Sequence, residues 1–125
     1  MRFISTRTHG VLDYLTAVLL IAAPWLFDFA DNGPAQWVPI IMGIAILGMS
    51  IMTDYELGLM RSIPMATHLT VDVIGGIFLA ASPWLFGFAD QVWAPHLIVG
   101  LLELGAGLTT ERTPTTLTTP TGSKL

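Results

Sequence analysis

Four long apolar segments constrain the fold of this chain more than any other feature of its sequence. They cover residues 8–27, 37–53, 67–86 and 93–109, which are 17 to 20 residues each. The second segment contains the stretch VPIIMGIAILGMSIM, which has no charged residue, so a helix built from it has no polar face to turn toward water. Helices of this length rise about 25–30 Å, close to the hydrocarbon thickness of a bilayer. The segments predict four transmembrane helices.

The composition excludes several classes of protein. Only 11% of the residues are charged, against about 25% in soluble domains, and 53% are hydrophobic. The net charge of −4 offers no basic surface for nucleic acid. The absence of cysteine excludes disulfides and thiolate metal sites. The sequence contains no phosphate-binding loop, dinucleotide fingerprint or nucleophile motif, so we expect no enzymatic activity and no cofactor.

The basic residues predict an orientation in the membrane. All five flank the segments on one side. The charged residues of the other two loops are all acidic. The positive-inside rule makes the basic side cytoplasmic, so we expect a plasma (inner) membrane protein with both termini in the cytoplasm. Residues 1–109 form the predicted membrane domain. Residues 110–125 are rich in threonine and are expected to be a disordered cytoplasmic tail. The basic residues are Arg2, Arg7, Arg61, Arg112 and Lys124.

The chain contains an internal duplication. THGVLDYLTAVLLIAAPWLFDFAD, from Thr8, aligns without a gap to THLTVDVIGGIFLAASPWLFGFAD, from Thr67. The offset of 59 falls to 57 after the following loop. There Gly43 aligns with Gly100, and Thr53 aligns with Thr110. The repeats cover about 8–56 and 67–111. Because each repeat has two spans, both copies have the same orientation. The predicted fold is an all-α membrane protein of four transmembrane helices, built as two tandem two-helix hairpins.

The repeated proline–tryptophan motif indicates a family. It reads Ala23-Pro24-Trp25 in the first copy and Ser82-Pro83-Trp84 in the second. With a tryptophan-led helix after each motif, the chain resembles the SPW-repeat family of small bacterial and archaeal integral membrane proteins. The resemblance implies a small integral membrane protein and brings no established activity. Ala23 departs from the pattern, so a serine hydroxyl cannot be essential in both copies.

Each repeat also carries a histidine and an aspartate four residues apart, which places the two side chains on one helix face. Three interpretations of these pairs stay open. The pairs could fix the helix starts; a histidine oriented by an aspartate could accept protons; or the four residues together could hold a divalent cation such as zinc. At about 7–8 Å below the interface, we expect water to reach the aspartates. The pairs are His9 with Asp13 and His68 with Asp72.

Glu103 breaks the repeat. It lies near the middle of the fourth segment, where the first copy has Ile46. A carboxylate at this depth costs about 2.5–3.5 kcal/mol on insertion scales for comparable charges. Glu103 is therefore either a proton- or ion-handling residue or a hydrogen-bonding contact at a helix interface.

Tryptophans and glycines predict how the helices sit and associate. Pro24 and Pro83 deprive Leu20 and Leu79 of a helical hydrogen bond, and the tryptophans are expected to form an aromatic belt at the outer interface. The glycines mark small-residue faces at which helices associate in lipid, so we expect a homo-oligomer. The tryptophans are Trp25, Trp37, Trp84 and Trp93, and the glycines are Gly43, Gly48, Gly75, Gly76, Gly100, Gly105 and Gly107.

For function the leading hypothesis is a non-enzymatic membrane protein with a structural or partner-binding role. The alternative is a small proton- or cation-handling protein that uses Glu103 and the two His–Asp pairs. A membrane enzyme is the least favoured. The lipid bilayer is the one partner that the sequence indicates, and no protein partner is identified.

Overall fold

The computed structural model describes residues 2–114, which form four α-helices joined by short loops. The helices are α1 (Thr6–Leu26), α2 (Pro34–Met52), α3 (Met65–Leu85) and α4 (Ala94–Thr109). The all-helical prediction is confirmed for these residues, whose only β-type pairings are isolated bridges. The helices α1, α2 and α3 are long and apolar enough to cross a membrane, and α4, with 16 residues, is shorter. Residues 115–125 of the predicted tail lie outside the described residues.

Local sequence explains where the helices begin and end. Helix α1 begins after Ser5, whose hydroxyl accepts a hydrogen bond from the backbone N–H of Thr8 at 3.1 Å. At their other ends α1 and α3 stop before Asp28 and Gly87, which both have left-handed backbone angles (φ 59° and 72°). This conformation terminates a helix and suits glycine best. Pro34 is the first residue of α2. Its missing N–H costs no hydrogen bond there, because the first N–H groups of a helix have no partner within it.

The helices pack most extensively in sequence order, α1 against α2 and α3 against α4. We call α1 with α2 the first pair, and α3 with α4 the second pair. Glycine allows the close approach in both. A Cβ atom on Gly43 would lie 2.8 Å from the carbonyl oxygen of Ala17, and one on Gly100 would lie 2.6 Å from that of Gly76. These are equivalent positions of the two repeats, so the duplication is expressed in the packing.

Backbone contacts join the two pairs at the end where α1 and α3 begin, which we call the basic end. Thr53, after α2, forms a bridge with Ile63, before α3, and Thr110, after α4, forms the equivalent bridge with Ile4, before α1. The backbone N–H groups of Asp54 and Glu111 donate to the carbonyl oxygens of Ile63 and Ile4, at 2.7 and 2.8 Å. The end of each pair is thereby tied to the start of the other.

The outer surface of the bundle is apolar around its middle. Large aliphatic side chains on all four helices are more than half exposed, and small residues and leucines fill the centre. Such a surface is far more extensive than the isolated apolar patches of soluble monomers. It suits a bundle surrounded by lipid. The exposed side chains include Leu15, Val18, Ile41, Ile44, Ile74, Ile77, Ile98 and Leu102.

Candidate functional site

The two His–Asp pairs meet in one cluster between α1 and α3. The Nε2 atom of His9 lies 2.8 Å from Oδ2 of Asp72 and 3.1 Å from Oδ2 of Asp13. The Nε2 atom of His68 lies 2.7 Å from Oδ2 of Asp13 and 3.2 Å from Oδ2 of Asp72. Nitrogen and oxygen atoms therefore alternate around a small ring. The shorter contact of each histidine is with the aspartate of the other repeat, so the cluster joins the two helix pairs. We call these four residues the central cluster.

Two threonines complete the cluster. The Nδ1 atom of His68 lies 2.6 Å from the hydroxyl oxygen of Thr53, and Nδ1 of His9 lies 2.7 Å from that of Thr110. Each threonine belongs to the other helix pair from its histidine. Both are fully buried, although Thr110 is the first residue of the predicted tail. Each of these histidine contacts thus has an equivalent in the other repeat.

The cluster is buried, which corrects the expectation of water-accessible aspartates. Both histidines are fully buried, and Asp13 and Asp72 are 1% and 5% exposed. The four side chains lie against one another, and the bridges between the segments before α1 and α3 and the ends of α4 and α2 close the bundle at this end. Within the described residues, Oδ1 of Asp13 is buried without a hydrogen-bond partner, and Ser50 makes only a long contact of 3.5 Å with Oδ2 of Asp13.

Glu103 occupies the centre of the bundle beside the cluster. It is 5% exposed, and its Oε2 atom is buried without a hydrogen-bond partner among the described residues. It lines two grooves. One, of about 450 Å³ between α2 and α3, also contains Asp72; the other, of about 360 Å³ on the α1–α4 side, also contains Asp13. A carboxylate therefore stands where the first repeat places Ile46 in the apolar core.

The opposite end, where α1 and α3 end, has polar contacts of its own. His96 is buried, and its Nε2 atom lies 2.9 Å from the carbonyl oxygen of Ala35, away from the central cluster. The side chain of Gln91 donates to Asp31 across the two loops at 2.7 Å. The backbone N–H of Gly33, together with Gln91, holds the pKa of Asp31 below its ordinary value. These contacts hold the two loops together.

The proline–tryptophan motif divides into a buried and an exposed part. Pro24 and Pro83 are buried, but both helices continue for two residues past the proline. The hydroxyl of Ser82 donates to the carbonyl oxygen of Leu79 at 2.7 Å, which is the carbonyl that Pro83 leaves without its helical donor. All four tryptophans are about half exposed or more. They line no enclosed site among the described residues.

The glycines serve two different surfaces. Gly43, Gly76, Gly100 and Gly107 are in close contact with neighbouring helices, whereas a Cβ atom on Gly48 or Gly105 would meet nothing within 4 Å. The last two are equivalent positions of the repeat. A Cβ atom on Gly75, the seventh glycine named from the sequence, would lie 3.0 Å from the side chain of Met42. Of these seven, only Gly48 and Gly105 leave a small-residue face open to a partner.

Thr53 and Thr110 are the functional-site residues that sequence reasoning missed. Their signal was present, since they occupy the same position in both repeats. Threonine at a helix end has an ordinary explanation as a local hydrogen-bonding residue. Nothing in the order of residues shows that each threonine reaches a histidine of the other repeat.

A known protein family matches most of this chain. The family model of the SPW repeat domain matches residues 7–110, nearly all of the described chain. The chain belongs to the SPW repeat family. The resemblance drawn from the sequence is thereby confirmed, and with three long apolar helices it identifies a membrane protein. Neither a curated protein nor a solved structure matches the chain significantly.

Proposed function

We propose that this SPW repeat protein is a non-enzymatic scaffold of the plasma membrane. In this proposal the chain crosses the bilayer four times, as two hairpins of the same orientation, and both termini are cytoplasmic. Helix α4 rises about 24 Å and is shorter than the hydrocarbon core, and local thinning of the bilayer accommodates it. The proposal includes a partner, a second copy of this chain.

One observation carries the proposal. The polar side chains of the central cluster are directed at one another, and they connect the two helix pairs where the helices themselves make few contacts. Helices in lipid are not pressed together by the hydrophobic effect, so packing and interhelical hydrogen bonds must hold them. The cluster supplies such bonds between the two helix pairs, near the basic end.

The proposed partner surface follows from the glycines. A Cβ atom on Gly48 or Gly105 would meet nothing within 4 Å among the described residues, and small residues on a lipid-facing helix allow another helix to approach closely. We therefore place self-association at these two positions, and the other glycines are already used for packing within the chain.

A stability measurement tests the scaffold role. If the cluster holds the helix pairs together, the double variant Asp13→Asn with Asp72→Asn loses buried charge pairing. Removing one partner of such a pair costs about 3–5 kcal/mol. We expect a clearly lower unfolding midpoint in detergent. Asp90→Asn is the matched control because Asp90 is exposed on a loop, and its midpoint should not change. A double variant as stable as the unmodified protein would refute the scaffold role.

The same measurement on Glu103→Gln tests the alternative, proton or cation handling. One observation favours that alternative, namely that Glu103 has an unpartnered buried oxygen and shares a groove with each aspartate. A functional carboxylate inside the membrane lowers the stability of the folded protein. A higher midpoint for Glu103→Gln, together with loss of ion flux into proteoliposomes, would establish cation handling. A lower midpoint without flux in the unmodified protein would establish Glu103 as a packing contact.

A further inference from the structure

We propose that the central cluster is a binding site for one divalent transition-metal ion, with Zn²⁺ as the first candidate. The ligands are Nε2 of His9, Nε2 of His68 and a carboxylate oxygen of each of Asp13 and Asp72. These four atoms all lie within 4.8 Å of one another. The inference goes beyond the scaffold role and does not depend on it.

Hydrogen-bond donors around Thr53 fix which nitrogen of His68 carries a proton. The hydroxyl oxygen of Thr53 lies 2.6 Å from the carbonyl oxygen of Met49 and 2.6 Å from Nδ1 of His68. A carbonyl oxygen can only accept, so the single hydroxyl proton of Thr53 points to Met49. Nδ1 of His68 must therefore donate to Thr53. In a neutral imidazole this leaves a lone pair on Nε2, as in a histidine that ligates a metal through Nε2.

The lone pair then faces negative charge. Nε2 of His68 lies 2.7 Å from a carboxylate oxygen of Asp13 and 3.2 Å from one of Asp72. A lone pair and two carboxylates repel one another unless a positive charge lies among them. One divalent ion supplies that charge and balances both aspartates. Without it, a proton must take the place of the ion between Nε2 of His68 and the carboxylates, and a buried imidazolium costs several kcal/mol of desolvation.

The arrangement of the donors fits the ion. Zinc binds imidazole nitrogen and carboxylate oxygen at about 2.0–2.2 Å, which places tetrahedral ligands about 3.4 Å apart. The nitrogen–oxygen distances in the cluster are 2.7, 2.8, 3.1 and 3.2 Å, all shorter than this spacing, so the four side chains move apart when the ion enters. The unpartnered Oδ1 atom of Asp13 provides a further oxygen. Four protein ligands in a buried position are typical of a structural rather than a catalytic zinc site.

The test measures metal content of the full chain, purified in detergent with an affinity tag that contains no histidine. The protein is treated with chelator, reloaded with ZnCl₂ and separated from free metal. Its zinc content is then measured by inductively coupled plasma mass spectrometry. We expect one zinc ion per chain. With Co²⁺ in place of Zn²⁺, we expect visible absorption bands of a four-coordinate ion, without a thiolate band because the chain has no cysteine.

Three variants locate the ion. His68→Gln should lose zinc, and Thr53→Val, which keeps the shape of the side chain but removes the partner of Nδ1, should bind it about 10–100-fold more weakly. His96→Gln is the matched control because His96 is buried outside the cluster, and it should retain one zinc ion. Retention by His68→Gln, or equal loss in His96→Gln, would overturn the assignment.

The unmodified protein alone also decides the matter, whether or not the variants fold. Failure to retain zinc, cobalt, nickel, copper or manganese above the level of the buffer would overturn the metal site and leave a cluster of protonated histidines and carboxylates. That outcome would not affect the scaffold proposal, which is judged by the unfolding midpoint of the aspartate variants.

Discussion

At the scale of single residues, the serine of the SPW motif has a defined task in this chain. Pro83 cannot donate to the carbonyl oxygen of Leu79, and the hydroxyl of Ser82 does so instead. In the first repeat Pro24 has the same deficit, and Ala23 has no hydroxyl with which to compensate. The motif therefore couples a proline to the donor that replaces its missing N–H, and the first repeat lacks half of this arrangement.

We expect Ser82→Ala to destabilise the protein by about 1–3 kcal/mol, because a buried carbonyl oxygen loses its donor. Ala23→Ser supplies the missing donor in the first repeat and should raise the free energy of unfolding by up to about 1 kcal/mol. Thermal or chemical unfolding in detergent measures both. Ser62→Ala is the control, since Ser62 is exposed and surface changes usually stay within about 0.5 kcal/mol. Equal effects of Ser82→Ala and Ser62→Ala would contradict this account.

At the scale of helices, glycine decides which faces meet inside the chain and which stay open. A Cβ atom on Gly100 would press into the backbone of α3, including the carbonyl oxygen of Gly76 at 2.6 Å. Backbone cannot move aside as a flexible side chain can, so the α3–α4 contact must open. Gly105, one and a half turns further along the same helix, has space around it.

The two glycines therefore give opposite predictions for the same substitution. Gly100→Ala should destabilise by about 1–3 kcal/mol, whereas Gly105→Ala should be neutral or stabilise by up to about 1 kcal/mol through helix propensity. Unfolding midpoints measure the difference. A loss of stability in Gly105→Ala as large as that in Gly100→Ala would show that Gly105 packs against something within the folded unit.

Light scattering of the same proteins in detergent tests the proposed self-association. If Gly48 and Gly105 form the contact between copies, Gly105→Leu should lower the measured mass toward that of one chain. A mass unchanged by Gly105→Leu would place the contact elsewhere or exclude it.

At the scale of the whole molecule, the basic residues lie at one end of the bundle. Arg61 and both ends of the described chain lie at the basic end, together with the central cluster, while Asp31 and Asp90 lie in the loops at the opposite end. The positive-inside rule turns this distribution of basic residues into the proposed orientation.

Single cysteines test that orientation cleanly because the natural chain has none. Ser62→Cys lies in the loop at the basic end and Asp90→Cys in a loop at the other, and both positions are exposed. In intact cells an impermeant thiol reagent should label Asp90→Cys, and Ser62→Cys should react only after the membrane is opened. Reaction of both positions, or the reverse order, would contradict the four-span topology with cytoplasmic termini.

Much of this molecule could be predicted from its sequence because apolar periodicity and duplication are local features. Four helices and the family follow from such patterns, and α1 differs from its predicted segment by two residues at its start and one at its end. The spacing of His9 and Asp13 indicates a shared helix face but not what that face meets. Burial of the aspartates depends on the segments folded over them, and the pairing of Thr110 with His9 spans 101 residues. Contacts of this kind arise only from the assembled fold.

The reciprocal contacts of the central cluster have a consequence for the origin of the chain. The nearest aspartate and the threonine partner of each histidine both belong to the other helix pair. The two helix pairs therefore contribute equivalent hydrogen-bond partners to each other. A shorter ancestor consisting of one pair could therefore have built the same centre by dimerising with its own copy. Duplication and fusion of such a unit would join two subunits that already fit, and each half could then diverge, as it does at Glu103 and Ala23.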